Sequence, residues 1–479
     1  MPIRKAMLIS VSLIFILSLP LFSQDEVSES GTGGLDFGFG LAIGAVNLID
    51  ENGNNTVYNS IKLNPDLAIG KFGIGLDIDF RFTMDTSNGD SGFRVYKPDW
   101  VLEDGSFSEY LNLYLSKFDY IRWGQSGDDL FAKIGSLENV TVGNGFIVGG
   151  YTNEMFKPAK KYTGLRFELD TALFNWPYMG IELFTSNISV FDLMAARYYV
   201  KPLGGIKSPV FSGLEIGATI AVDRKPYFFL YDEATVPGVD TTPDEIYDYT
   251  SISVNESPNT VLVYGFDVMQ PLVDIKVFTM ALYGDFVLQG TQTPALGGTS
   301  GLNGSLFKFI GWNAGLIFRG EDFVPTYFNR NYDLDRLTKY YVYNNNGLDP
   351  DLAPAGIDYN ASLGFNFMDG GISFVTQISG PFAAPTKPAL EAPLQYPHLM
   401  ALFTIAEGII PYFDMSFWYD KQGIDEFAAL VSAENALIGG RLNFRMEPAV
   451  ISLQVDVKYD PAQAESWDVT TKLETGIQF

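Results

Sequence analysis

The strongest constraint on the fold of this chain is an apolar residue at every second position, repeated in segment after segment. From Phe72 to Phe82, aromatic and aliphatic residues alternate with glycine, aspartate and arginine, and a similar segment runs from Ile451 to Tyr459. A helix repeats every 3.6 residues and cannot collect such residues on one face, whereas a strand places alternate side chains on opposite faces. The chain is therefore expected to be all-β.

The length of these segments indicates what kind of β-structure they form. Soluble β-sandwiches also alternate, but their strands are usually nearer about five or six residues, whereas a tilted strand needs about 9–11 residues to cross a bilayer. After the N-terminal segment no apolar run reaches the roughly 18 residues of a membrane helix, so a membrane protein with this sequence must be a barrel. We predict a transmembrane antiparallel up-and-down β-barrel of about 16 strands, or else about 14, because both chain ends on the periplasmic side require an even number.

Composition narrows the class of protein further. Aromatic residues make up 15% of the chain, including 38 Phe and 26 Tyr, and there are 48 Gly. This composition suits aromatic girdles and closely packed barrel strands. The absence of cysteine excludes disulfides and thiolate sites. A net charge of −26 argues against a nucleic-acid partner and fits either a lumen that favours cations or solvated long loops.

The N-terminus has the order of a secretory signal peptide. Arg4 and Lys5 precede the apolar stretch 6–19, Pro20 interrupts it, and Ser23 supplies a small residue at the expected cleavage position. An uncleaved signal anchor is the alternative. The predicted organisation is a cleaved signal peptide at 1–23, a short periplasmic segment at 24–34, and a single β-barrel domain at 35–479 with long extracellular loops.

Turn-rich segments of unequal length separate the predicted strands. Short and long connections alternate along the chain, which is usual in barrels of this kind. The long ones are predicted at 84–107, 223–259, 290–304, 320–355 and 380–397, the second of which is acidic and rich in tyrosine. Periodicity does not decide whether one of them folds into the lumen.

The last predicted strand carries the most specific resemblance. From Trp467 onwards apolar and threonine residues alternate with polar ones, and the chain ends on an aromatic residue. The positions concerned are Leu473, Thr475, Ile477 and Phe479. This pattern resembles the C-terminal signature of bacterial outer-membrane β-barrels of the porin-like superfamily, without indicating a particular family.

That resemblance implies an integral protein of the cell outer membrane. The implied partners are outer-membrane lipid, periplasmic chaperones, small solutes and the barrel-assembly machinery, which reads the terminal strand. No nucleic acid is implied. Trimeric and monomeric barrels share this pattern, so a homo-oligomer stays open.

Catalytic and cofactor motifs are poorly represented. His398 is the one histidine, and neither G-x-S-x-G nor H-E-x-x-H occurs. Gly143-Asn144-Gly145 lacks the spacing of a phosphate-binding loop and is interpreted as small residues on a crowded lumen face. Residues 50–55 lack the ligands of a calcium loop and are interpreted as a turn. The segment Lys133–Tyr151 looks specific to a family but predicts no function. We therefore expect no enzyme activity, no cofactor and no metal.

Charged residues on the non-apolar face of the strands are the remaining candidates for a functional site. They are Asp77, Asp79, Arg81, Asp267, Asp285, Arg441 and Arg445. Rings of such charges set ion preference in pores. The competing interpretation, equally weighted, is that they hydrogen-bond across a filled lumen.

Three functions are compatible with these observations. The first is passive diffusion of small polar solutes with a preference for cations. The second is specific transport of hydrophobic molecules, as in the fatty-acid channel family, although residues 24–34 are too few for a large N-terminal hatch. The third is a surface adhesin or structural barrel with a closed lumen.

Overall fold

The structure is a computed structural model, and it describes most of the chain beyond residue 34. The described residues are 35–49, 55–85, 92–102, 105–155, 161–176, 178–226, 260–290, 293–345, 347, 349–368, 370–387, 395–431, 436–446, 449–459 and 467–478. The predicted signal peptide, the segment 24–34, most of the 50–55 turn, most of the acidic segment 223–259 and Phe479 lie outside them.

Long antiparallel strands dominate the described chain. They are β1 (Leu35–Ile49), β2 (Asn55–Ile69), β3 (Phe72–Leu76), β4 (Ile78–Asp85), β5 (Gly92–Val95), β6 (Phe118–Trp123), β7 (Leu130–Gly135), β8 (Val140–Val142), β9 (Val148–Tyr151), β10 (Gly164–Asp170), β11 (Met179–Thr185), β12 (Leu193–Val200), β13 (Glu215–Asp223), β14 (Val261–Ile275), β15 (Phe278–Gln289), β16 (Ala295–Leu306), β17 (Ile310–Arg319), β18 (Phe328–Asn329), β19 (Gly356–Phe367), β20 (Ile372–Pro381), β21 (His398–Ile410), β22 (Phe413–Lys421), β23 (Ala436–Met446), β24 (Ala449–Tyr459) and β25 (Trp467–Gln478).

Helices are few and short. They are α1 (Phe107–Leu115), α2 (Pro209–Ser212) and α3 (Tyr332–Tyr343). No helix in the described part of the chain is both long and apolar enough to cross a membrane.

Consecutive strands of the main sheet pair in antiparallel fashion, and β1 pairs with β25 as well as with β2, so the pairing returns to its start. The strands β3 and β4 follow each other along the same neighbour, β2, so together they occupy one position in the wall. On their other side β3 pairs with β6 and β4 pairs with β5, so β5 and β6 together occupy the next position. Counted in this way the wall has twenty positions, with β8, β9 and β18 in a separate sheet. The predicted counts of 16 and 14 are therefore wrong, although the number is even.

One of the strands that the prediction missed is β16, which occupies most of the predicted loop 290–304. Its sequence, ALGGTSGLNGSL, has no continuous apolar face. Glycine is needed at position 301 because a Cβ there would lie 2.6 Å from the Tyr283 hydroxyl. The same hydroxyl would lie 2.4 Å from a Cβ on Gly315 of the next strand, β17. Glycine here makes room for a large side chain of the neighbouring strand, which removes the alternation on which the prediction depended.

A second departure from the prediction is α1, because the sequence pattern predicts a strand near 109–119. The Ser106 side chain accepts a hydrogen bond from the Glu109 amide, and the Glu109 carboxylate accepts one from the Ser106 amide. This reciprocal capping box satisfies backbone donors at a helix N-terminus. The motif S-x-x-E was present in the sequence and outweighs the local alternation.

The wall has its apolar face outwards and its polar face inwards. On β14, Phe266 is 63% exposed whereas the adjacent Asp267 is 5% exposed. On β24, Ile451 and Leu453 are exposed whereas Gln454 is buried. The alternation predicted from sequence is thus present, with the apolar side chains on the surface. A protein folded in water buries that face, so this arrangement is typical of a wall that contacts lipid.

Two connections from the same end of the wall pack against its polar face. Insert A comprises residues 136–163 between β7 and β10 and contains β8 and β9; insert B comprises residues 320–355 between β17 and β19 and contains β18 and α3. The strand β18 runs parallel to β9, with Phe328 opposite Val148, so one small sheet joins the inserts. Their apolar side chains and the inner face of β11–β17 form the hydrophobic core.

Candidate functional site

Insert B is attached to the wall through Arg336 of α3. Its guanidinium donates two hydrogen bonds of 2.7 Å to Asp223 of β13 and one of 3.0 Å to Asp192 in the β11–β12 turn. Tyr332 donates to the same Asp223 carboxylate at 2.6 Å. Asp333, one turn before Arg336, accepts from Tyr151 of insert A at 3.0 Å. All these groups are buried, so the attachment is dry and geometrically specific.

Burial perturbs the titration of this insert. It raises the pKa of Asp333 to about 7, against the lowering effect of Arg336. It also lowers the pKa of Lys339 to about 8, and the Lys339 ammonium donates to two neutral oxygens, the Tyr327 carbonyl at 2.9 Å and the Asn329 amide at 2.7 Å. Both residues belong to α3, so insert B is expected to respond to pH near neutrality.

Insert A meets the wall at Arg197 of β12. This buried guanidinium binds three carboxylates: Asp267 at 2.5 Å, Glu182 at 2.5 Å and Glu215 at 2.7 Å. Gly143 at the tip of insert A has a φ of +58°, and a Cβ there would lie 2.8 Å from Arg197 Nε. The tip therefore needs glycine for both its backbone conformation and its approach to the cluster.

Asn144 continues this contact one residue further. Its amide donates to the Asp285 carboxylate at 3.1 Å and to the Val268 carbonyl at 3.2 Å. Asp285 and Asp267 stand directly opposite each other on β15 and β14. Two predicted lumen carboxylates are thus adjacent, and each binds a different partner.

The predicted charges of the first strands form a separate cluster. Asp77, at the break between β3 and β4, accepts from Lys161 at 2.5 Å and lies 3.2 Å from the ammonium of Lys62. Asp79 accepts from Ser60 at 2.5 Å. Arg81 donates to Asp99 at 2.6 Å through Nε and makes a second, shorter bond through its Nη2. Asp77 therefore joins the wall to insert A and Arg81 joins it to the chain between β5 and β6, whereas Asp79 bonds within the wall.

The remaining predicted arginines lie on β23. Arg441 donates to Gln454 of β24 at 2.9 Å. Arg445 forms ion pairs with Asp414 of β22 and, at 3.0 Å, with Glu407. All seven predicted charges thus have a hydrogen-bond or ion-pair partner, which lies on a nearby strand, on insert A or between β5 and β6. Their role in ion selectivity stays a prediction.

The residues of the predicted assembly signal lie in β25 as far as that strand is described. The backbone of Ile477 pairs with Ala449 on one side and Leu41 on the other, and Thr475 pairs with Ile43. Their recognition by assembly machinery stays a prediction.

Sequence reasoning missed the two arginines that attach the inserts, Arg197 and Arg336. A usable indication was present on β13 and β14, where Ala221-Val222 and Val261-Leu262-Val263 are apolar on both faces. A strand that is apolar on both faces is covered on both faces. A second indication was the three-residue spacing of Asp333 and Arg336, which places both side chains on one face of a helix.

The inner face of the wall differs around the ring. We call β11–β17 the covered sector, because each of these strands contributes an apolar side chain to the core with the inserts. We call β19–β24 the uncovered sector; its buried inner side chains are mostly polar and take no part in that core. They include Asp358, Ser362, Ser373, Lys421, Gln454 and Asp456.

Comparison with known proteins adds little to this description. No protein-family model and no curated protein matches the chain. Solved structures with some similarity include OpdL of Pseudomonas aeruginosa (8% identity, TM-score 0.32, covering 93% of this chain and 98% of that one). Others are a BenF-like porin from Pseudomonas fluorescens Pf-5 (7%, 0.32, 93% and 98%) and OccK11 (OpdR) of Pseudomonas aeruginosa (10%, 0.36, 93% and 96%). At TM-scores below 0.5 these similarities support no conclusion about this chain.

Proposed function

We propose that this chain is an integral β-barrel of the cell outer membrane and a channel for small polar solutes, narrowed by inserts A and B. The observation that carries the proposal is the outward apolar face of a wall whose pairing returns to its first strand. Burying one large side chain such as Phe266 or Phe286 in lipid stabilises the protein by about 1.5–3 kcal/mol. A closed ring leaves no strand edge unpaired, as a bilayer requires.

The inserts determine where a solute would pass. In the covered sector, apolar wall residues such as Val263 and Val287 pack directly on the inserts, so this side is closed by protein. The inner face of the uncovered sector also carries partly exposed polar side chains, among them Asn360, Gln377 and Arg441, which suit a hydrated passage. We place the passage between the inserts and the uncovered sector. Solutes would cross it without a chemical step.

Charge balance supports a preference for cations. The chain carries a net charge of −26, so its acidic groups greatly outnumber its basic ones. A passage lined by excess negative charge concentrates cations and lowers the barrier to their entry.

The test is conductance of the refolded protein in a planar bilayer under a potassium chloride gradient. We expect steady open steps with a cation-directed reversal potential. The substitution Asp79→Asn should shift the reversal potential towards that of an unselective pore, because the Asp79 carboxylate is only partly buried. Asp128→Asn is the matched control, since Asp128 lies in the β6–β7 turn and pairs with Lys71. The absence of conductance from protein that is demonstrably folded would contradict the channel proposal and favour a closed barrel.

A transporter of hydrophobic molecules is the second candidate, favoured by one irregularity of the wall. The strand β5 pairs with the C-terminal half of β4, and β6 pairs with β3. On the side of β3 and β4 that faces away from β2, regular pairing therefore stops between Leu76 and Phe82. The intervening chain includes α1, whose Phe107 and Tyr114 are exposed. Uptake of a long-chain fatty acid into protein-containing liposomes, abolished by a cross-link between α1 and β4, would support this candidate over the diffusion channel.

A further inference from the structure

Three lysines lie in connections at the end of the wall opposite the inserts. Lys207 lies between β12 and β13, Lys276 between β14 and β15, and Lys308 between β16 and β17. Because antiparallel strands alternate in direction, connections that follow every second strand lie at the same end of the wall. All three lysines are exposed, and within the described chain none of them forms an ion pair or a side-chain hydrogen bond. We call these three lysines the basic arc.

Hydrogen bonds hold the three connections of the basic arc next to one another. The Phe307 amide donates to the Val277 carbonyl at 2.7 Å, which joins the β16–β17 connection to the β14–β15 connection. The Gln270 side chain of β14 donates to the Val210 carbonyl of α2 at 2.6 Å, which joins the β12–β13 connection to β14. Neighbouring strands are about 4.8 Å apart, so the arc spans roughly 20 Å of the rim. The lysines therefore form one continuous basic surface.

Large apolar side chains flank the lysines and are themselves exposed. Each lysine is preceded or followed by at least one of them; they are Ile206, Ile275, Val277 and Phe307. Connections that lie in water are rich in Gly, Pro, Asn, Asp and Ser instead. A lysine with its apolar neighbours in hydrocarbon and its ammonium group at the polar boundary is typical of a bilayer interface.

The β16–β17 connection carries these residue types in an unfavourable backbone conformation. Phe307 has a φ of +54° and Lys308 a φ of +66°, which is the left-handed region that favours glycine and asparagine. Phe307 is also 55% exposed, which is a second unfavourable contribution if its surroundings are water. A lipid surface removes the second contribution, because Phe307 then contacts acyl chains while Lys308 reaches the headgroups. Strained positions of this kind are often functional sites.

We propose that the basic arc binds the phosphates of anionic phospholipids in the leaflet that surrounds this end of the wall. The partner is anionic because the three ammonium groups share this stretch of the rim with one exposed carboxylate, that of Asp274. The partner is a lipid rather than a soluble anion because the flanking apolar residues continue the exposed apolar face of β13–β17, which includes Ile216 and Leu316. The inference deepens the proposed function by naming a lipid class, and it rests on that function for the position of the wall in a bilayer.

Binding is measured by native mass spectrometry of the full-length protein folded in detergent and titrated with dioleoylphosphatidylglycerol or, separately, with zwitterionic dioleoylphosphatidylcholine. A lysine next to an anionic lipid surface strengthens binding about fivefold. The triple substitution Lys207→Gln, Lys276→Gln and Lys308→Gln should therefore weaken phosphatidylglycerol binding by about a hundredfold and leave phosphatidylcholine binding unchanged. Replacement of the same three lysines by arginine should retain the preference for phosphatidylglycerol, because the positive charges remain.

The matched control replaces three other exposed basic residues and changes the net charge by the same amount. It combines Lys71→Gln, Arg94→Gln and Arg224→Gln. Lys71 lies at the same end of the wall as the arc but pairs with Asp128 at 3.0 Å, and the two arginines lie towards the end that carries the inserts. The control should bind phosphatidylglycerol as wild type does. Both triple variants should melt as wild type does, because exposed side chains contribute little to stability.

Equal phosphatidylglycerol binding by wild type and the arc variant would overturn the inference, and so would an equal loss of binding in the control. Displacement of phosphatidylglycerol by inorganic phosphate at equal concentration would also overturn it, because the arc would then be a site for a soluble anion. Flotation with liposomes tests the proposed function separately. Wild-type protein that does not insert into liposomes would contradict the membrane barrel itself, whereas inserted protein without a preference for phosphatidylglycerol would contradict this inference alone.

Discussion

The covered and uncovered sectors of the wall share the same alternation of outward and inward side chains, but they differ in the residue types of their inward side chains. Both expose apolar side chains outwards, for example Phe286 in the covered sector and Phe417 in the uncovered sector. Inwards, the covered sector presents Val263 and Val287, which contact the inserts, whereas the uncovered sector presents residues such as Gln454. The residue types on the outer face reflect the medium around the whole wall, and those on the inner face reflect which segment packs against each strand. Apolar residues on both faces of a strand thus indicate a packed lumen.

The largest effect is expected from breaking the attachment of insert B. Arg336→Ala leaves Asp223 and Asp192 buried without their counter-charge, which should lower the free energy of unfolding by about 3–5 kcal/mol. Single-channel conductance should rise, because the insert is released from the covered sector. Guanidinium titration in detergent and bilayer recording measure the two quantities.

Arg445→Ala is the corresponding change in the uncovered sector. Arg445 is partly exposed and pairs with Asp414 and Glu407, so its removal should cost about 1 kcal/mol or less and leave both inserts in place. Equal losses of stability in the two variants would contradict the distinction between the sectors.

An intermediate effect is expected at the tip of insert A. Gly143→Ala adds a Cβ against Arg197 at a positive φ, so it should destabilise the protein by about 1–3 kcal/mol and make the open-channel current noisier. Gly440→Ala in the uncovered sector is the control, because its Cβ would meet only ordinary contacts of 3.5 Å and more. Thermal melting and current noise compare the two. A tolerated Gly143→Ala would show that the tip does not press on the Arg197 cluster.

The smallest effect is a pH dependence of the docking of insert B. The pKa of Asp333 is raised to about 7, so the folded state holds this proton more tightly than the unfolded state does, and stability should fall as pH rises towards about 7. The pKa of Lys339 is lowered to about 8, so stability should rise again above that pH. Docking of the insert should be weakest between these values.

Hydrogen exchange of the α3 amides as a function of pH measures this profile. Asp333→Asn should remove the acid limb and Lys339→Met the alkaline limb, while the amides of β23 in the uncovered sector serve as an internal control. A flat profile for α3 in the wild-type protein would show that neither group is coupled to docking of the insert.

Prediction from sequence succeeded where local pattern and physical surroundings agree. The segments Phe72–Phe82 and Ile451–Tyr459 lie in strands with the expected faces, because a bilayer imposes one rule on every outward residue. It failed at β16, where glycines accommodate Tyr283, and at α1, where a capping box outweighs alternation. In both places a specific neighbour or cap determines the residue type.

The sequence by itself determined that the chain is all-β, that its strands alternate, and that many of its charges share the face opposite the apolar one, because these properties have a period of two along the chain. Only the tertiary structure decided that the wall has twenty positions, that inserts A and B fill one side of it, and that Arg197 and Arg336 bind their carboxylates. Those facts depend on residues as far apart as Asp192 and Arg336, which are 144 positions apart in the chain. Periodicity reports the two faces of a strand, and it carries no information about which distant segment lies against either of them.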